Sequence, residues 1–387
     1  MRLLYLADIR FPMERANGIQ TIETAHALAR RGVEVELVVR RTDGRTDEAC
    51  LEFFGLSPHP RLTLCRVSAP FGRFSTLARA AWLLFSSHRW DFVFTRDLLL
   101  ASAALRFGRV PVVYEAHTVA AVFAEERARL YGADGAASKP KLARLDQRES
   151  RVCREAAGLV TITRALLRAL SERHGKVAPA RVVPDGARLP VALPGPRPTG
   201  SPPRVCYIGQ LYPWKGVDVL VDAMRYLDGA ELAIVGGLPP EPDLDRLHRL
   251  AATLSVQDRV SFRGYLPPPA LDAERAASDV FVIPLLDSAT ARLFTSPLKL
   301  FEAMASGRPV VASDLPSIRE VLVHEQNALL VPAGDSRALA SAIDRLLRDR
   351  DLARRLAARA FEDGRAYSWD RRAEALEDFL LTTRAAR

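Results

Sequence analysis

Apolar and polar positions follow two alternating rhythms along this 387-residue chain. The runs "RLLYLAD", "VEVELVV", "FVFTR" and "VPVVYEAH" have the length and β-branched content of buried strands. Stretches such as "IQTIETAHALARRG" lie between them and predict helices, their apolar residues recurring every three or four positions. Strand and helix in strict alternation predict a parallel sheet covered on both faces. The rhythm stops at 188–204, "RLPVALPGPRPTGSPPR", which is rich in Pro and Gly and reads as an interdomain linker. It restarts with "RVCYIG", "AELAIVG", "RVSFRG", "DVFVIP" and "RPVVASD", five more strand-like runs separated by helical stretches. The expected fold class is α/β, with two doubly wound domains in series. Ligands of such sheets bind at the carboxyl ends of the strands, and two facing sheets make a cleft.

Composition narrows the class. Hydrophobic residues make up 48% and charged residues 26%, ordinary for a globular protein that is not membrane-embedded. No apolar run approaches the roughly 20 residues of a membrane span. The opening "MRLLYLADIRFP" reads as a first strand and not as a cleavable leader. Four scattered cysteines lack metal-type spacing and fit reduced thiols in a cytoplasmic protein. Charge is uneven. Residues 1–200 hold 31 Lys+Arg against 20 Asp+Glu, a net +11, whereas 201–387 hold 24 against 26, a net −2. A basic first half suits an anionic membrane surface, a nucleic acid or a phosphorylated acceptor.

Two segments carry candidate chemistry. In "YIGQLYPWKGVDVLVDAM" a strand ends at Gly209 and a helix begins near Gly216, with Lys215 between them. Free N–H groups at a helix start favour an anion, and a lysine adds a point charge. By itself the pattern better fits a solvated lysine at a strand-to-helix turn, since such turns are common. In "TSPLKLFEAMASGRPVV" Ser296 and Pro297 suit the start of a helix that places Lys299 and Glu302 at i and i+3 on one face. A carboxylate there suits a ribose diol. A plain i,i+3 salt bridge is the competing account.

These segments, with "LAIVGG", "VSFRGYL", "SDVFVIPLLDS", "LKLFEAMASGRPVVASDLPSIREVL", "NALLVPAGDSRALASAIDRLL" and "YSWDRRAEAL", occur in one order from about 204 to 375. In that order they resemble the retaining GT-B glycosyltransferases (glycosyltransferase family four, glycosyl transferases group 1 type). "NGIQTIETAHALARRGVEVELV" and "YEAHT" resemble the first half of the same family more loosely. The resemblance implies two Rossmann-like domains. They are an acceptor-binding domain over 1–190 and a nucleotide-sugar donor domain over 204–368, with a C-terminal helix over 369–387 crossing back to the first. It implies that Lys215 neutralises the donor diphosphate and that Glu302 holds the ribose hydroxyls. It further implies that Gly18, in the first loop, lets the backbone approach the diphosphate across the cleft, and that His117 contacts the donor sugar. A buried structural histidine is the alternative at His117. Backbone at Gly209, Gly264 and Tyr265 would meet the nucleotide. No metal or cofactor is implied, and the nucleotide-sugar is a substrate.

Two positions depart from the family. Gln210 stands where an arginine is common, and Lys299 is the candidate to replace its charge. Phe294 stands where a glutamate is common, so the donor sugar's hydroxyls must look to Asp287 and to backbone amides from Thr295 through Ser296 to Leu298. The expected activity is hexosyl transfer from a nucleoside-diphosphate sugar to a glycan or lipid-linked acceptor, in cell-surface polysaccharide or glycolipid synthesis. An epimerase or a non-catalytic nucleotide-sugar-binding protein on the same fold is the alternative. The segment 71–90, "FGRFSTLARAAWLLFSSHRW", mixes bulky apolar residues with Arg73, Arg79 and Arg89 and suits a helix in an anionic membrane interface. Packing of that helix on its own sheet is the competing account. No nucleic acid is expected as a partner.

Overall fold

The computed structural model describes residues 1–41, 43–68, 89–131, 138–197, 202–237, 242–294 and 298–386. They divide into two compact units, Met1–Gly186 with Trp369–Arg387, and Ala187–Ser368.

The first unit holds β1 (Arg2–Phe11), β2 (Glu34–Arg41), β3 (Leu62–Val67), β4 (Phe92–Thr95), β5 (Val112–Ala116), β6 (Gly158–Thr161) and β7 (Ala180–Val182). Among the described residues they form one sheet in the order β3-β2-β1-β4-β5-β6-β7. The second unit holds β8 (Arg204–Ile208), β9 (Glu231–Val235), β10 (Val260–Gly264), β11 (Val280–Ile283), β12 (Val310–Ser313) and β13 (Leu329–Val331). Their order is β10-β9-β8-β11-β12-β13. Every pairing is parallel. Both sheets are α/β and doubly wound, and each reverses strand order beside its first strand, at β1/β4 and at β8/β11.

Strand alternation explains why both faces of the second sheet are covered. Val205, Tyr207, Val280, Val282 and Val311 enter one apolar cluster with Val217, Leu220 and Ile343. Their neighbours Cys206, Ile208, Phe281, Ile283, Val310 and Ala312 enter another with Leu300, Phe301 and Met304. Successive side chains point to opposite faces, so a strand buried on both sides reads as a continuous apolar run. The nine strands expected from such runs are present, and β3, β6, β7 and β13 are additional.

The segment from 188 is not a free linker. Ala187 bridges to Ser368, Leu193 and Pro194 lie against Gly307, and the Arg308 guanidinium donates to the Gly195 carbonyl at 2.5 Å. Arg197 donates to Asp279 at 2.7 Å. Proline and glycine deny this stretch a regular period, yet its carbonyls and apolar side chains still find partners on the second unit. The C-terminal helix α-C (Trp369–Ala385) belongs to the first unit. Its Glu377 accepts from Arg31 and its Asp378 from Arg181, each at 2.7 Å. All four cysteines are free. No helix of the described residues is long and apolar enough to cross a membrane. Residues 71–88 of the expected interfacial segment lie outside the described residues.

Candidate functional site

In the second unit the loop leaving β8 carries Gly209, Gln210 and Lys215. Pro213–Lys215 makes one tight turn, after which Gly216 adopts φ +66° and leads into the helix Val217–Ala223. Gly216 is required twice over. Its φ is left-handed, and a Cβ there would meet the Pro284 carbonyl oxygen at 1.8 Å. The Leu286 amide donates to the Trp214 carbonyl at 3.0 Å, so the exits of β8 and β11 are tied together beside Lys215.

The helix Leu298–Ala305 buries Leu298, Leu300, Phe301, Ala303 and Met304. That leaves Lys299 and Glu302 on its remaining stripe, partly buried. Lys299 Nζ donates to Glu302 Oε2 at 3.2 Å. Arg275, from the helix Leu271–Ala276, reaches the same oxygen at 3.1 Å. Burial pushes the Glu302 carboxyl up, but Lys299 and then Arg275 outweigh it and hold it below the usual carboxylate range. Lys215 is partly buried, and among the described residues no carboxylate pairs with it. Burial first, and repulsion from Lys299 second, lower its ammonium to about 8. Ile208, Phe281, Ile283 and Ala303 complete a cavity wall around Arg275, Lys299 and Glu302. Lys299 and Arg275 thus converge on one Glu302 oxygen at the sheet's switch point, Arg275 also donating to Asp272 at 2.7 Å, while Lys215 feels the charge of Lys299 and pairs with no carboxylate among the described residues.

The other expected residues fall as follows. Gln210 lies beside Gly209, its Nε2 buried without a hydrogen-bond partner among the described residues. Tyr207 Oη donates to the Gln210 carbonyl at 2.5 Å and fixes the loop exit. Gly264 and Tyr265 follow β10, and the Gly264 carbonyl accepts from Gly236 at 2.8 Å. Ser296 lies outside the described residues, whereas Leu298 is buried at the helix start. Asp287 is exposed, and Arg292 takes its carboxylate with one bond at 2.9 Å in a surface ion pair. Phe294 is buried and offers no polar group.

In the first unit His117 follows β5, and its Nε2 lies 3.4 Å from Glu115 Oε1. Burial, then the positive charge of Arg96, lowers the imidazole below its ordinary value, so the ring is neutral at pH 7. Glu115 is fully buried and accepts from Gln20 at 3.2 Å on both oxygens and from Arg372. Burial opposes its ionisation, and Arg372 foremost reverses that and holds the carboxyl well below the usual range. Gly18 sits in the first turn of the helix Ala16–Arg30 and not in the expected loop, and a Cβ would meet the Met13 carbonyl oxygen at 2.5 Å. Close packing of its own chain accounts for the glycine.

Sequence reasoning missed Arg275, Glu115, Gln20 and Arg372. A signal existed for two of them. Arg372 falls on the apolar stripe Trp369, Ala373, Leu376, Leu380 of its helix, and Glu115 interrupts the apolar run of β5. A charge at a position that the period buries must have a buried partner.

Known proteins resemble the chain along its length. A family model described as Glycosyltransferase Family 4 matches residues 18–189, and one described as Glycosyl transferases group 1 matches 202–349. A D-inositol 3-phosphate glycosyltransferase of Nocardia farcinica is 31% identical over 93% of this chain and 83% of its own length. A GDP-mannose-dependent alpha-(1-6)-phosphatidylinositol monomannoside mannosyltransferase of Mycobacterium tuberculosis is 36% identical over 49% of this chain and 50% of its own. Among solved structures, the sucrose-phosphate synthase of Thermosynechococcus elongatus superposes with TM-score 0.80 at 22% identity, covering 100% of both chains. Anabaena HepE in complex with UDP-glucose superposes with TM-score 0.76 at 20% identity, over 99% of this chain and 100% of that one.

Proposed function

We propose that this chain, which belongs to the family 4, group 1 type glycosyltransferases, is a retaining hexosyltransferase using a nucleoside-diphosphate sugar. The observation that carries this reading is Lys215, a partly buried cation that feels Lys299 and has no carboxylate partner among the described residues, next to the Glu302 that Lys299 and Arg275 hold ionised. Such an arrangement suits a diphosphate beside a diol. Glu302 would accept from the ribose hydroxyls, and the two lysines would face the phosphates, with no metal ion needed to neutralise them. Gly209, Gln210, Gly264 and Tyr265 would border the nucleotide, and Leu298 with the preceding backbone the sugar.

As the glycosidic bond breaks, the leaving diphosphate gains charge and the sugar becomes oxocarbenium-like. Lys215 and Lys299 already face that charge, and preorganised charge of this kind lowers the barrier without reorganising during the reaction. The departing phosphate oxygen takes the acceptor's proton. His117, neutral and backed by Glu115, is assigned to a hydroxyl of the substrate sugar.

The named activities of the relatives support an inositol-containing or lipid-linked acceptor, in glycolipid or polysaccharide synthesis. The +11 charge of residues 1–200 suits a phosphorylated acceptor and a cytoplasmic enzyme working peripherally at an anionic membrane face. The test is a thermal-shift screen with UDP-, GDP- and ADP-sugars, followed by NMR of the product's anomeric centre with inositol phosphate and phosphatidylinositol acceptors. Donor binding and a product that keeps the donor's anomeric configuration are expected. An inverted product contradicts the retaining mechanism. Gln210 and Phe294 are the residues that favour the rival reading of a non-catalytic binding protein, for which donors bind and no nucleoside diphosphate is released.

A further inference from the structure

Arg372 is 1% exposed at its side chain and lies on the buried stripe of α-C. An apolar residue would fit that stripe without any ion to desolvate, and a buried ion pair is a weak source of stability. Its guanidinium is nonetheless bonded on every side. Nη2 donates to Glu115 Oε1. Nη1 donates to the Val183 carbonyl at 2.8 Å and the Pro184 carbonyl at 2.9 Å, and Nε to Thr24 Oγ1 at 2.9 Å. Asp185 Oδ1 lies 3.7 Å from Nη1. One side chain therefore joins the exit of β5, the exit of β7 and the helix Ala16–Arg30.

Glu115 and His117 are two residues apart on an extended strand end, so their side chains fall on one face. The Glu115 carboxylate approaches Nε2 of the ring at 3.4 Å, while 15% of the His117 side chain stays exposed. From the other side Gln20 holds both carboxylate oxygens and itself accepts from Arg96 at 2.8 Å. His117 Nε2 is buried without a hydrogen bond among the described residues, and the carboxylate clamped between Arg372 and Gln20, 3.4 Å away, favours a proton on Nε2, leaving Nδ1 as an acceptor. We propose that Arg372, acting through Glu115, is a positioning residue that fixes the orientation and tautomer of His117 for a substrate hydroxyl. This rests on the assignment of His117 to the substrate sugar made above.

The test is a pH titration of the His117 imidazole by nitrogen-15 NMR in the full-length protein, without ligand. It compares wild type, Arg372→Met, and the pair Glu115→Gln with Arg372→Met, which removes one charge of each sign if the single variant fails to fold. The charged groups around the ring are Glu115, Asp185, Arg96 and, through Glu115, Arg372. Wild type should show the Nε2-protonated tautomer. Removing the Arg372 charge should raise the His117 pKa, and the paired variant should lose the tautomer preference. Nucleoside-diphosphate release from UDP-glucose and GDP-mannose should then drop by about 10- to 100-fold in kcat with little change in KM. Identical His117 signals in all three proteins would overturn the role of Arg372. A His117→Ala enzyme with wild-type release would instead remove the substrate role of His117, even where the NMR coupling is intact.

Discussion

The two units handle buried charge in opposite ways. In the first, Arg96 and Arg372 are matched by Glu115 and Asp185 around a neutral His117. In the second, Lys299 and Arg275 share the Glu302 carboxylate, and Lys215 is left with a repelling neighbour, Lys299, and no carboxylate among the described residues. A network whose charges are matched within the protein serves to hold side chains still. An open network holds cations in an unfavourable place, which a ligand anion relieves. The difference gives removal of a cation opposite signs in the two units.

The largest effect is expected in the matched network. Arg372→Ala leaves Glu115 buried without its main partner, which should cost about 3–5 kcal/mol in urea unfolding. A loss under 1 kcal/mol would mean the network is not matched as described. Lys215→Met should lower kcat/KM by about 100- to 1,000-fold, since a charge facing the leaving diphosphate is lost. The same variant should be more stable than wild type by about 1–3 kcal/mol near pH 7, because the lysine no longer has to be charged in a partly buried, repelling place. The pH dependence follows with a definite sign. Between about 8, the folded value, and 10.5, the ordinary one, the unfolded chain binds more protons at Lys215. Stability therefore rises with pH across that window in wild type and not in the methionine variant. Destabilisation by Lys215→Met would erase the contrast between the units.

Glu302→Gln sharpens the contrast further. Nucleoside diphosphate should bind more weakly by about 1.5–3 kcal/mol, as expected for a hydrogen bond to a charged group. Pyrophosphate, which has no ribose, should bind as well or better once the negative charge is gone. Equal weakening of both would reject the ribose role. The smallest effect concerns the basic half. Arg73→Glu with Arg79→Glu should reduce pelleting with anionic vesicles by about 1 kcal/mol per residue and leave neutral vesicles unaffected. A protein that never pellets would point to a soluble acceptor.

Much of the fold could be read from the chain because buried parallel strands advertise themselves. The runs at 204–209 and 279–284 are apolar at every interior position, and both faces of β8 and β11 are indeed packed. The strands that were not read are short or mixed. β7 has three residues and β3 carries Thr63 and Arg66 in its run. The packing of the segment from 188 was not legible, because an absent period says nothing about whether carbonyls and apolar side chains find partners. At the site, Lys299 and Glu302 were legible because they sit i,i+3 on one helix. Arg275 was not, since it reaches Glu302 from 27 positions upstream on another helix. Arg372 and Glu115 lie 257 residues apart. Only the misplaced polarity of each could have hinted at the other.

The central claim is that the second unit's surplus cations form a diphosphate site. It is tested most directly by calorimetry of UDP and GDP binding at pH 8.5 in buffers of different ionisation enthalpy. Lys215 at about 8 is largely deprotonated there, and a bound diphosphate should restore its proton. The account predicts uptake approaching one proton per site in wild type, none in Lys215→Arg, and affinity that falls with pH above about 8 in wild type only. Tight binding with no proton uptake, or undiminished binding in Lys215→Met, would contradict it.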